Sequence, residues 1–152
     1  MGKYRRVFAL FSVIVVASLG VIVGTAVPAS AATTCGGSAT AFGGGPGVAY
    51  STIAPSMTQN SPHFNCVLVR NNNNNWGVIV LQIALRDCAG QAIAVDGDFG
   101  AGTEQAVKNV QAVTGVGVDG KYGPVTRNAM PWPASSTTGS GCVVGNLFNF
   151  PN

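Results

Sequence analysis

One histidine, four cysteines and five carboxylates leave this chain few ways to do chemistry. His63 follows Pro62 in a polar stretch and reads as an exposed or turn residue. Without a second histidine it cannot build a multi-histidine metal site. A Cys–His nucleophile would need a cysteine kept reduced. Asp96 and Asp98 would suggest a glycosidase pair, but they stand two apart in a turn, and the related stretch downstream has Lys121 in place of the second acid. The run from Asp96 also fails as a calcium loop, because Gly100 occupies the position of the third oxygen ligand. No constellation supports catalysis, so the expectation is a non-enzyme with no metal and no cofactor.

The N-terminus sets the compartment in which these residues would work. MGKYRR, an apolar run from Val7 to Val27 and the small-residue exit Ala29-Ser30-Ala31 read as a signal peptide over residues 1–31, cleaved before Ala32. The competing reading is an uncleaved membrane anchor, which Gly20, Gly24, Ser12, Ser18 and Thr25 dilute. Ala32, Thr33 and Thr34 before Cys35 do not resemble a lipoprotein processing site, so no membrane attachment is expected after cleavage. The formal charge of +3 belongs to Lys3, Arg5 and Arg6. Beyond them, Arg70, Arg86, Lys108, Lys121 and Arg127 balance Asp87, Asp96, Asp98, Glu104 and Asp119. With no basic stripe to neutralise phosphates, nucleic acid is excluded as a partner. The expected location is secreted, extracellular or wall-associated.

In an exported chain, Cys35, Cys66, Cys88 and Cys142 point to two disulfides, for which three connectivities exist. They are widely scattered with no C-x-x-C pair, which argues against zinc. Geometry favours one connectivity weakly. Cys88 ends a helix of about 16 Å starting near Val78, and the segment from Cys66 to Trp76 reaches about 33 Å if extended. That segment can run back along the helix and set Cys66 beside Cys88. Cys35 would then pair with Cys142, closing a loop worth about 4–5 kcal/mol in the chain-entropy model.

Around these residues the chain divides into zones: a Gly/Ser/Thr-rich extension over 32–70, loop-like with room for one short strand; an asparagine linker over 71–75; an ordered module over 76–132; and a tail over 133–152. Val78, Leu81, Leu85 and Cys88 share one face of a first helix stopped by Gly90. A second helix is predicted from about Ala101 to Thr114, with Val107, Val110 and Val113 or Thr114 inward, ended by Gly115. A third runs from Pro124, well suited to the first helical position, to about Met130.

Shifted by 23 residues, VDGDFGAGTEQAV (95–107) aligns without gaps on VDGKYGPVTRNAM (118–130). Leu81-Gln82 and Val110-Gln111 echo one another upstream. In each copy the Asp-Gly pair (Asp96-Gly97, Asp119-Gly120) makes a turn in which Gly takes φ > 0 and Asp bonds nearby backbone N–H groups. Phe99 and Tyr122 enter the core, and Gly100 and Gly123 admit the chain to the next helix. Thr103 and Thr126 sit in its first turn, where a hydroxyl can meet unpaired backbone donors.

The string V-x-x-LQ-x-x-L, then VDG-x-FG-x-x-T-x-x-AV-x-x-x-Q, then G-x-VDG-x-YGP-x-T resembles the bacterial peptidoglycan-binding domain of the three-helix type, over about residues 76–132. The resemblance implies a small all-α fold and non-covalent recognition of cell-wall peptidoglycan, through its stem peptides or glycan, without catalysis. The family has Phe before the second-helix Gln and often Trp after the last Thr, where this chain has Val110 and Arg127. The first change shrinks the core and the second alters a contact surface.

Exposed aromatics with amide and hydroxyl partners suit sugar and peptide binding, which makes Trp76, Tyr122, Arg127, Trp132, Gln82 and Gln111 the candidate ligand residues. Trp76 and Trp132 could equally seal helix ends, and Gln82 and Gln111 could bond the turns that follow them. Two functions remain: a wall-binding module with disulfide-tied decoration, or a small protein-interaction or inhibitor-like protein reusing the scaffold. The second would use the loops around 36–65 or the NLFNFP tail as contact surface.

Overall fold

The computed structural model describes residues 32–45 and 48–151; the expected signal peptide and its cleavage site lie outside them, apart from Ala32. The architecture is not all-α. A curled, antiparallel five-stranded sheet packs with three short helices, so the all-α expectation is overturned. The elements are β1 (Gly37–Gly45), β2 (Val48–Ser56), α1 (Trp76–Asp87), α2 (Ala101–Thr114), α3 (Pro124–Ala129), β3 (Pro131–Ser136), β4 (Gly139–Val144) and β5 (Phe148–Asn149), with a single 3₁₀ turn at Gly145–Leu147. Strand order is β4-β3-β2-β1-β5.

The helices lie where the apolar periodicity predicts them. Asn75 caps α1, its Oδ1 accepting from Gly77 N and Val78 N. Gly115 ends α2 in the left-handed conformation, and Pro124 opens α3. Within α2 the inward face is Val107 and Val110 with Thr114 beside them, whereas Val113 is exposed.

In the extension, β2 (VAYSTIAPS) carries the strand formers Val48, Tyr50, Thr52 and Ile53 and meets the expectation of one short strand there, whereas β1 (GSATAFGGG) and β3 (PWPASS) have low intrinsic strand preference. Pairing across the chain outweighs that deficit. β1 and β2 pair in continuous register from Gly37↔Ser56 to Gly45↔Val48. β2 and β3 pair only from Tyr50↔Ser136 to Thr52↔Ala134, so the prolines of β3 fall beyond the ladder with β2, where a missing N–H costs nothing. Glycine is required where β5 meets β1: a Cβ on Gly43 would stand 2.0 Å from Leu147 O.

The disulfide pairing also differs from the expectation. The bridges are Cys35–Cys66 and Cys88–Cys142, not Cys66–Cys88 and Cys35–Cys142. The segment after Cys66 does not run back along α1. It is pinned across the two Asp-Gly turns, with Leu68 paired to Tyr122 and Asn71 and Asn72 bonded to Phe99. Cys35 N donates to Val67 O and Val67 N to Thr33 O, which brings Cys35 to Cys66. Cys88, at the end of α1, meets β4 instead. The core runs continuously from Ala41 and Ala54 of the sheet through Leu81 and Leu85 of α1 to Phe99, Val107, Tyr122, Met130 and Trp132.

Candidate functional site

Each Asp-Gly turn is closed by a buried glutamine on the preceding helix. Gln82 Oε1 accepts from Asp96 N at 3.0 Å and Gly97 N at 2.9 Å, while its Nε2 donates to Asp96 Oδ1, Asp98 O and Thr103 Oγ1. Gln111 makes the same set with Asp119 N, Gly120 N, Asp119 Oδ1, Lys121 O and Thr126 Oγ1. Gly97 (φ 81°) and Gly120 (φ 73°) hold the left-handed conformation that each turn needs. The threonine hydroxyls meet the glutamine amide and donate to Asp98 O and Lys121 O, rather than meeting free helix donors.

These bonds also set the charge state of the turns. The Asp98 backbone N–H, and then the Gln82 amide, hold the Asp96 carboxyl below its ordinary pKa. At Asp119, desolvation pushes the pKa up, but the Lys121 N–H and the Gln111 amide outweigh it and the net shift is downward. Glu104 is lowered by Lys108 and then Arg70, both of which bond it at the surface.

The backbone of each turn aromatic is bonded to the segment after Cys66. Leu68 and Tyr122 exchange N–H···O bonds at 2.9 Å; Phe99 N donates to Asn72 O and accepts at its own carbonyl from Asn71 N. The asparagine run is ordered by further bonds: Asn74 N to Asp98 Oδ1, and Asn75 Nδ2 to Cys35 O.

Five of the six candidate ligand residues are inside. Gln82 and Gln111 are consumed by the turns. Tyr122 is fully buried against Trp132, ring centroids 6.1 Å apart, and burial raises its pKa far above the ordinary range. Its hydroxyl has no hydrogen-bond partner among the described residues. Trp132 is buried too, its Nε1 donating to Arg127 O at 2.8 Å. Arg127, only 3% exposed, donates through Nη1 to Phe64 O and lies 4.5 Å beneath the Phe150 ring. Burial lowers its pKa. The departure from the family pattern at Arg127 therefore fastens the extension and the tail to α3 rather than presenting a ligand contact.

Trp76 is the exception. It is 51% exposed, and its Nε1 donates to Ser38 Oγ at 2.9 Å, which fixes the indole at the mouth of a cleft between α1 and the sheet. The cleft has a volume of about 610 Å³. One wall is the Trp76, Val80, Ile83 stripe of α1; the other is the face of the sheet carrying Thr40, Ser51, Ile53, Pro133, Ser135 and Ser140. The sheet residues come from four strands, so no spacing in the sequence brings them together. A signal did exist in α1: WGVIVLQIALRD is apolar on every side, and the face opposite Leu81 and Leu85 therefore needed a cover.

His63 is exposed, its backbone tied to Met57 N and Ser61 Oγ, and no cysteine is free, so no thiolate stands near it. Among the described residues no three His, Cys, Asp or Glu side chains gather where they could hold a metal ion, and no helix is long and apolar enough to cross a membrane.

Comparison with known proteins returns one family. Residues 75–130, which hold the three α-helices of the described residues and both Asp-Gly turns, match the family model described as "Putative peptidoglycan binding domain". No curated protein and no solved structure matches the chain.

Proposed function

We propose, proceeding from the peptidoglycan-binding-like domain that residues 75–130 form, that this chain is an exported, non-catalytic protein that holds non-covalently to cell-wall peptidoglycan. The observation that carries the proposal is the family match itself, which spans both glutamine-locked turns. Two disulfides and no free thiol among the described residues suit an oxidising exterior. The four cysteines being bridged leaves no thiol nucleophile to join with His63. In this reading the sheet is a structural partner of the domain, because it covers the second face of α1 and receives Cys88 through Cys142.

Co-sedimentation of the oxidised chain, residues 32–152, with purified peptidoglycan tests the proposal. Saturable binding that survives moderate salt, with no release of soluble wall fragments, is the expected result. A folded chain that stays in the supernatant overturns it and turns the search to a protein partner.

A further inference from the structure

The cleft beside Trp76 has a composition that selects among the chemistries of a wall. Among the described residues none of its lining side chains is charged, although the wall's stem peptides and anionic polymers are. The hydroxyls of Thr40, Ser51, Ser135 and Ser140 make no hydrogen bond within the described residues. Ser51 pairs with Ser135 and Ser135 with Ser140, so three hydroxyl-bearing residues form a row across three neighbouring strands, stepped by about 4.8 Å. Facing them, the Trp76 indole is held by Ser38 and offers an aromatic face, while Ile53, 55% exposed, supplies apolar floor. Aromatic face plus hydroxyl edge plus zero charge is complementary to a sugar ring, which has apolar C–H faces and a polar rim.

The site is also elongated. A second depression, of about 370 Å³, shares Ser51 and Ser135 with the first and is bounded by Phe42, which is 67% exposed. Phe42 lies four strand positions beyond Ser38, about 13 Å along β1, on the same face by alternation. Phe42, paired with Ser51, stands at one end of the hydroxyl row, and the Trp76 indole lies beside Ser38, offset from the row along β1; a lining of that length fits a linear polymer better than a single small molecule.

We propose that this cleft binds an uncharged glycan strand of N-acetylated sugars, stacked on Trp76 and hydrogen-bonded along Ser51, Ser135 and Ser140. The proposal rests on the wall-binding reading and names which part of the wall is gripped. It places recognition on the junction of α1 and the sheet, outside the glutamine-locked turns.

Titration of the oxidised chain with a β-1,4-linked N-acetylglucosamine hexamer tests it. Trp132 is buried, so a change in tryptophan emission reports on Trp76. Saturable binding insensitive to salt is expected, weakened roughly tenfold or more in Trp76→Ala. Ser140→Asp, an exposed substitution that puts a carboxylate in the cleft without touching the core, is expected to weaken it similarly with unchanged melting. Wall co-sedimentation run on the same variants separates the two proposals. If the wild type binds wall but not the hexamer, or if both folded variants bind the hexamer normally, the cleft proposal falls and wall binding stands. Steep salt dependence, or occupation of the cleft by a neutral Ala/Leu peptide and not by the hexamer, overturns it as well. A chain that binds the hexamer but not wall leaves the cleft standing and removes the wall reading.

Discussion

The helical region between Asn75 and Met130 and the sheet around it are held by opposite means. In the first, the decisive bonds are local: Gln82 reaches Asp96 and Gln111 reaches Asp119, separations of 14 and 8 residues. In the second they are distant: Thr52 Oγ1 donates to Pro133 O across 81 residues, and Cys88 is tied to Cys142 across 54. Local closure loses little chain entropy and leaves a motif in the sequence, whereas distant closure loses more and leaves none. The sheet accordingly leans on a covalent bridge where the turns lean on a side-chain amide.

Removing that bridge sharpens the contrast most. Cys88→Ser with Cys142→Ser is expected to cost about 4 kcal/mol in the chain-entropy model. Hydrogen exchange should show β3 and β4 losing protection before α2 and the turns do. Equal loss in both regions would dissolve the distinction between local and distant closure. Non-reducing peptide mapping of the wild type checks the premise, and recovery of a Cys66–Cys88 peptide would contradict it.

Next in size is the glutamine lock. Gln82→Ala or Gln111→Ala strips a buried turn of five bonds and leaves the Gly97 or Gly120 N–H unpaired, a loss of about 2–4 kcal/mol in urea melts. Because the two locks make the same bonds, the two variants should fall within about 1 kcal/mol of each other. A marked inequality would show that the contacts of Phe99 and Tyr122, not the amide, dominate.

The smallest effect is on pH dependence. Asp96 and Asp119 have folded pKa values below the ordinary carboxylate value of about 4. The unfolded chain therefore takes up protons first, so their stabilisation is complete above about pH 4 and declines as pH falls through the folded values. Asp96→Asn with Asp119→Asn should flatten the acid limb of a stability–pH curve and leave its shape above pH 5 unchanged, as thermal melts across pH 2–7 would show.

Legibility in the sequence followed the same division. The helix limits, the Asp-Gly turns and the glutamines were readable because each depends on residues within about 20 positions. Most of the sheet was not, because GSATAFGGG and PWPASS carry turn-forming residues, and only pairing with β2 between them and coverage of α1 makes strands of them. The candidate site was legible in Trp76 alone. Aromatic and amide identity marked Tyr122, Arg127, Trp132, Gln82 and Gln111 as possible contacts, but identity does not encode exposure.

By itself the sequence determined the three helices, the paired turns, the membership of residues 75–130 in a recognisable domain and the presence of two disulfides. Only the tertiary structure decided which cysteines pair, that glycine-rich ends form a sheet, that Arg127 serves as an internal fastener and that a neutral cleft opens beside Trp76. The physical reason is range: propensity, capping and turn chemistry act within a few residues, while register, bridging and exposure are properties of surfaces that meet only when the chain has closed on itself.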